Sequence, residues 1–465
     1  MLRASAIAER AGIPTSSLVC EGFLGQGKAT AVGLGLPNIP MAMVPGHVDL
    51  QGEKELRENI KKVTLERVVQ NLTGKMEAAE KAPPAPGPRD IVFKGTFEEV
   101  NELFLRNEWS EGLPIIPPTL EKVEAFLRFT DRSPDEVIGI LLPANRKATV
   151  WNVAVNGVMA GCRPEYMPVL IAAIEAMADP NYGVEHSGNT PGSDTLITLN
   201  GPIIKELGFN YEQGALRDGF QANTSVGRFW RLYLRNVAGF LPHKTDKGTY
   251  GNTWRVVLAE NEDAVARIGW EPMSVDMGFR AGENVVTIAR YTGGDVIASV
   301  LGDNIDQILS YVSDHVVKQI GWEIEFTVGL ATGMLRPHLI LSPVIAEKIK
   351  KLGYSKKDIK QYLYDHARLP ARQFEKYIDH IVPGRTLCDL VREEAAPKQF
   401  CESEDPGRLV PIVCSPDDFV ITISGDPLRS NAYIFAHNGH LGYTTSKKVK
   451  LPPNWQRLLK EAREK

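Results

Sequence analysis

The stretch Val155-Asn156-Gly157-Val158-Met159-Ala160-Gly161-Cys162-Arg163-Pro164-Glu165-Tyr166-Met167-Pro168-Val169-Leu170 holds two helices and the joint between them. Val150 to Met159 reads as a buried helix, with Val150, Ala154 and Val158 on one apolar face. Ala160-Gly161 ends it, since glycine accepts the left-handed conformation that closes a helix. Pro164, whose φ is already set for a first turn, opens a second helix with Tyr166 to Met177 as its body. Cys162 falls in the joint, at the amide-rich start of that second helix and next to Arg163. Both surroundings lower a thiol pKa and favour the thiolate. The alternative is a buried sulfur packing as a small hydrophobe.

Outward from this joint, the 465 residues exceed one ordinary core, so two or three domains are expected. With 43% hydrophobic and 24% charged residues the composition is that of a globular protein. A net charge of -4 gives no basic field for nucleic acid. The longest apolar run, Tyr166 to Ala178, is too short to span a bilayer, so no membrane association is expected. Met1 to Ala11 lacks an apolar core and is no signal peptide. The five cysteines, Cys20, Cys162, Cys388, Cys401 and Cys414, show neither CxxC nor zinc spacing. Such an odd, scattered set suggests reduced thiols in the cytoplasm.

The fold class read from the pattern is α/β: a small parallel βαβα N-terminal domain and a larger mixed α/β domain. In the first, Leu2 to Arg10 is a helix stopped by Gly12 and Pro14, opening without a cap as though something preceded it. Ser16 to Cys20 is a strand, Glu21 to Gln26 a glycine-broken loop, and Lys28 to Leu34 a short helix. Pro40 to Val44 is a second strand. Glu53 to Leu72 is a long amphipathic helix with Leu56, Ile60, Val63, Leu65, Val68 and Leu72 on its apolar side. Ligands sit off the carboxyl ends of such strands, which puts Cys20, Glu21 and His47 on the working edge. A core thiol and a loop imidazole are the plainer reading of Cys20 and His47.

Ala6-Ile7-Ala8-Glu9-Arg10-Ala11-Gly12-Ile13-Pro14-Thr15, the Val44-Pro45-Gly46-His47 turn and the Glu53–Leu72 helix together resemble the UGSC-type (seleno)proteins. More distantly they are similar to the selenoprotein B subunit of glycine, sarcosine and betaine reductases. The resemblance implies reductive cleavage of a carbon–heteroatom bond by a selenocysteine or cysteine motif lying just ahead of this segment. No Cys-Gly-Ser-Cys is present here, and the turn reads Pro-Gly-His where the family pattern would give Pro-His-Pro. Reading from an internal Met after an in-frame UGA, or a redox residue on another subunit, would each account for the missing motif. The large domain resembles the one that accompanies UGSC-type modules, at Glu111–Thr119 and Asn156–Tyr166.

The expected boundaries are 1–75 for the small domain, 76–92 for a proline-rich linker and 93–465 for the large domain. A division of the latter into two subdomains would fall near 270–330. Within it Thr96 caps a helix to Asn107, and Thr119 caps another from Leu120 to Phe129. The polar loop Asn181 to Asp194 carries His186, Asn189 and Thr190 into a strand, Thr195 to Asn200. Gly201-Pro202 then opens a helix whose free amides suit an anion. Arg217 and Asn223 precede a helix capped by Thr224 or Ser225. On its face Arg228, Arg231 and Arg235 stand at i, i+3 and i+7. These guanidiniums either grip a carboxylate or phosphate or pair with acidic residues at a domain or subunit interface. His243 to Trp254 reads as a loop that could close as a lid. His437 and His440 have no carboxylate beside them, so no metal is expected.

The combined expectation is a thiol-dependent enzyme or enzyme subunit acting on a small carboxylate-bearing molecule. Cys162 would be its nucleophile, His186 its proton carrier, and Asn189, Thr190, Arg217, Asn223, Arg228 and Arg231 its substrate contacts. Cys20 and His47 are the secondary candidates. No cofactor is expected beyond an external thiol or selenol reductant. The partners expected are the small substrate, a redox partner subunit and a second copy of the chain. A non-catalytic scaffold of a larger reductase, and a cysteine hydrolase or lyase, are the alternatives.

Overall fold

The joint between the two helices forms as the residues require. The helix Val150–Ala160 stops at Gly161, whose φ of 79° is left-handed. Pro164–Tyr166 makes one tight turn before the helix Met167–Met177. Nearly every side chain of the pair is buried, so burial rather than helix propensity holds it. The computed structural model describes residues 2–74, 86–320, 335–437 and 442–464.

The protein is α/β. Near the N-terminus β1 (Ser17–Cys20) and β2 (Met41–Val44) pair in parallel, Ser17 opposite Met41 and Cys20 opposite Val44. The helices Leu2–Arg10 and Leu24–Gly33 flank them, around a small core of Ala6, Ala31 and Ile39. The second helix begins four residues before the expected Lys28 and takes in part of what read as loop. Its glycines are there for close approach: a Cβ on Gly27 would sit 2.9 Å from the Met41 sulfur.

The long helix after β2 is interrupted. Glu53–Asn59 passes through a wide π turn, Ile60–Thr64, into Leu65–Thr73. The extra residue in that turn shifts the helix face. Thr64 turns inward, only 1% exposed, and its Oγ1 donates to the Met43 carbonyl at 2.8 Å. Ile60, Val63, Leu65 and Leu72, expected on the apolar side, are each at least a third exposed.

Residues 75–85, which include the first part of the expected 76–92 linker, lie outside the described residues. After it, Thr96 and Glu99 form the reciprocal cap of the helix Phe97–Arg106. A hairpin, β3 (Val137–Leu141) and β4 (Arg146–Thr149), leads into the joint. The main sheet runs β11-β8-β12-β7-β5-β6, with β13 (Thr445–Lys448) also on β7. Its members are β5 (Asp194–Asn200), β6 (Val257–Ala259), β7 (Val285–Ile297), β8 (His338–Leu341), β11 (Val420–Ile423) and β12 (Ala432–His437). β5 with β6 and β8 with β11 are parallel, whereas β7 is antiparallel to β5, β12 and β13. A short pair, β9 (Arg368–Pro370) and β10 (Leu409–Pro411), stands apart.

β7 lies inside the 270–330 stretch and in the middle of the sheet: Val286 and Ile288 pack into the core that contains Met167, and Ile297 into the core of Leu339 and Ile421. Thirteen residues of strand let one element serve both cores.

The helix Gln221–Tyr233 crosses behind β6, where Gly227 lets it touch the chain. A Cβ there would lie 2.3 Å from the Arg255 carbonyl carbon and 2.4 Å from the Val256 nitrogen. Replacing glycine by alanine on a free helix gains about 0.5–1 kcal/mol. Here Gly227→Ala is expected to cost about 1–3 kcal/mol through overpacking, read as a lower urea midpoint; an unchanged or higher midpoint would contradict the close approach.

Candidate functional site

Cys162 lies in the main core, 9% exposed. Burial pushes its thiol up to about 12, against smaller opposing pulls from Ser225 and Arg228. The thiol is thus held protonated rather than acidified, contrary to what the helix start and Arg163 imply. Arg163 does not serve it, because its Nε lies 2.5 Å from Glu165 Oε1. Desolvation of a charge outweighs one distant guanidinium.

The arginine stripe is paired with the protein itself. Arg228 Nε donates to Glu111 Oε1 at 2.5 Å and its Nη2 to the Pro114 carbonyl at 2.6 Å. Arg231 Nη1 reaches Asp194 Oδ1 at 2.9 Å, and Arg235 Nη1 the Glu108 carbonyl at 3.0 Å. Of the two readings open in the sequence, the structure displays the internal pairing. The helix itself starts at Gln221, so Thr224 and Ser225 lie inside it rather than at a cap.

The asparagines are occupied in the same way. Asn223 Nδ2 donates to the Asn210 and Val257 carbonyls, and its Oδ1 accepts from Asn210 N. Asn189 Oδ1 accepts from Gly192 N and Ser193 N, and its Nδ2 donates to the His186 carbonyl and Ser193 Oγ. His186, Thr190 and Arg217 are exposed. The amides after Asn200 are taken too: Gly201 N donates to Glu262 Oε1 at 2.7 Å and Ile203 N to Asn284 Oδ1 at 2.9 Å.

The segment 243–254 is laced to the loop before β5. Lys247 N donates to the Gly188 carbonyl, Thr249 N to Thr190 and Asn252 N to Gly192. Between them lies a cavity of about 190 Å³ whose lining includes Glu111, Ser187, Arg231, Arg235, Asp246 and Arg255. Burial pulls the Arg235 guanidinium below the usual arginine range, opposed by the charges of Glu108, Glu111 and Asp246. A larger, mostly apolar cleft of about 1330 Å³ opens where Phe93, Trp109, Trp151, Met159 and Asn236 meet. The two share Arg235 as a wall.

The small domain presents the carboxyl ends of β1 and β2 toward the same segment. Lys247 Nζ donates to the Gly22 carbonyl at 2.7 Å and stands over the Phe23 ring, itself 5.8 Å from the His47 ring. His47 Nδ1 accepts from Asp49 N at 3.2 Å, which leaves Nε2 to carry the proton of the neutral ring. Gly46 N donates to Glu21 Oε2. Arg3 pairs with Glu185 at 2.8 Å, and Gly33 packs where a Cβ would fall 2.0 Å from the Pro143 carbonyl oxygen. Cys20, half-buried and unbridged, sits at this edge.

Residues 1–74 match the UGSC family. The match covers the module that carries Cys20, Glu21 and His47 and meets the resemblance read from Ala6–Thr15. No curated protein matches the chain. The UGSC-matching module is thus one wall of an interface whose other wall is the 243–247 segment.

Two of the five cysteines depart from the expected reduced set, for Cys388 and Cys401 are bridged, their Cα atoms 5.0 Å apart. Their thirteen-residue separation carries no motif, and only the fold brings them together. Among the described residues no three His, Cys, Asp or Glu form a metal-ligand group, and no helix is long and apolar enough to cross a membrane. His437 ends β12, and His440 lies outside the described residues.

Asp194 is 2% exposed and also accepts from Thr195 N and Trp254 N. Asp194→Asn removes the charge that Arg231 faces and is expected to cost about 2–3 kcal/mol. Urea denaturation checks this; a loss below about 0.5 kcal/mol, the size of an ordinary surface change, would contradict the pair's structural weight.

Proposed function

We propose that the protein is a thiol-dependent enzyme or enzyme subunit that reductively cleaves a carbon–heteroatom bond in a small carboxylate-bearing substrate. The reaction face is the carboxyl edge of the UGSC-matching module. The observation that carries the reading is that this matched module presents a half-buried, unbridged thiol, Cys20, at the carboxyl end of its parallel strands, whereas Cys162 is buried in the core.

In this reading Cys20 acts as the thiolate and displaces the heteroatom group from the carbon beside the carboxylate. The His47 ring takes up the proton that the Cys20 thiol loses, and the imidazolium so formed gives its Nε2 proton to the leaving group. A thiol or selenol from outside then takes the Cys20 sulfur off the carbon. The carbon gains a proton, and the two sulfur or selenium atoms end as a mixed dichalcogenide. One carbon–heteroatom bond becomes carbon–hydrogen, and the two electrons come from the pair of thiols. Lys247, held at the Gly22 carbonyl beside this edge, supplies positive charge for a carboxylate. A partner that delivers the reductant, and a second copy on the exposed apolar residues of the Ile60–Leu72 stretch, belong to the same proposal.

A scaffold role is favoured by one observation: Asn189, Asn223 and Arg228 are all committed to internal hydrogen bonds. The two readings separate on activity. With a panel of 2-substituted carboxylates (chloro, amino, hydroxy and trimethylammonio) and dithiothreitol, product NMR is expected to show the unsubstituted acid from at least one. Cys20→Ser should abolish that product and His47→Gln slow it by about hundredfold, with Cys162→Ala retaining turnover. Product formation that survives Cys20→Ser would overturn the assignment, and no product from any acid would favour the scaffold.

A further inference from the structure

The bridge between Cys388 and Cys401 lies in the outer helical region, apart from the UGSC-matching module. Cys388 is on the helix Leu387–Arg392 and 7% exposed. Cys401 ends the turn Lys398–Cys401 and is half-buried, followed by the exposed run 402–406. One side chain is built around the inner sulfur. Arg408 Nη2 lies 3.6 Å from Cys388 Sγ. The same guanidinium donates to Glu375 Oε1 at 2.9 Å, the Phe400 carbonyl at 3.1 Å and the Asp405 carbonyl at 3.0 Å. Four acceptors thus fix its plane, and Glu375 is itself held by Leu387 N. The Arg408 side chain is 9% exposed, so its N–H group on sulfur is not traded for water.

The two sulfurs are therefore unequal. Cys401 is the more exposed of the two and so the one an attacking thiolate meets, with the Ser403 carbonyl 3.9 Å from each sulfur. At Cys388 Sγ, buried beside the Arg408–Glu375 pair, the fixed guanidinium N–H meets the charge a leaving sulfur acquires. Exchange rates rise as the leaving thiol becomes more acidic. We infer that Cys388–Cys401 is a thiol–disulfide exchange site that accepts two electrons from a dithiol reductant, with Cys401 as the attacked sulfur and Cys388 as the leaving one. The reductant's first thiolate bonds to Cys401 Sγ as the Cys401–Cys388 bond breaks, and Cys388 departs as a thiolate against Arg408. The reductant's second thiolate then displaces Cys401, which leaves as a thiolate and takes a proton. The reductant ends as its own disulfide, and the protein holds two reduced cysteines.

The test uses the full chain under native conditions. It is treated with dithiothreitol at pH 8, quenched with iodoacetamide and mapped by peptide mass, with circular dichroism in parallel. Adducts at both 388 and 401 with an unchanged spectrum, reversed by oxidised glutathione, are expected. Cys388→Ser should hold glutathione on Cys401 as a stable mixed disulfide. Arg408→Gln should slow native reduction by about tenfold, the effect of one charge-assisted hydrogen bond to the leaving thiolate. A pair that alkylates only after denaturation, or that stays unbridged in oxidised glutathione, would overturn the exchange site in the unmutated protein. Reduction of a folded Arg408→Gln protein at the unaltered rate would overturn the assignment of Cys388 as leaving sulfur.

Discussion

One buried carboxylate organises the middle of this molecule. Asp194 stands at the first residue of β5 and accepts from Arg231 on the crossing helix, from Trp254 N at the end of the 243–254 segment and from Thr195 N. Helix, segment and sheet are thereby referred to a single side chain. A buried charge of this kind is costly without partners, so the arrangement is close to all-or-none. The neighbouring arginines extend the device: Arg228 and Arg235 fasten the 108–114 stretch to the same helix. What stands firm as a result is the 241–247 stretch, and on it rests the edge of the UGSC-matching module.

Desolvation then decides which sulfur is available for chemistry. Cys162 has the neighbours of an activated thiol, yet its lack of water leaves it protonated. Cys20 has fewer helpful neighbours but sits at the open ends of two parallel strands, where bound molecules meet such sheets. The positive group at this edge, Lys247, donates to the Gly22 carbonyl two residues beyond Cys20 and comes from outside the module. The module offers a thiol and an imidazole, and Lys247 brings positive charge to the edge that carries them.

Local structure was legible wherever local chemistry decides it. Gly161 and Pro164 mark the helix joint, Thr96 marks the start of the helix Phe97–Arg106, and the Leu18 and Met43 neighbourhoods mark their parallel strands. The module's relationship was legible from Ala6–Thr15 for the same reason. What escaped was every property set by distant partners. The charge state of Cys162 depends on how many side chains surround it, which no nearby residue reveals. The stripe of Arg228, Arg231 and Arg235 reads equally well as a ligand grip, until Glu111, Asp194 and the Glu108 carbonyl arrive from more than thirty residues away. The π turn at Ile60–Thr64 rotates a helix whose periodicity gave no warning, and the Cys388–Cys401 bridge depends on folding alone.

On this proposal, solvent access at the module edge, rather than position at the helix joint, makes a thiol reactive. The most direct measurement is the initial rate of labelling of Cys20 and Cys162 by substoichiometric iodoacetate and iodoacetamide at pH 7.5, on the folded protein, resolved by peptide mass. Cys20 should label far faster than Cys162 and should favour the anionic reagent relative to a free cysteine peptide, with Cys162 reacting only after denaturation. Faster labelling at Cys162 in the folded state would contradict the account.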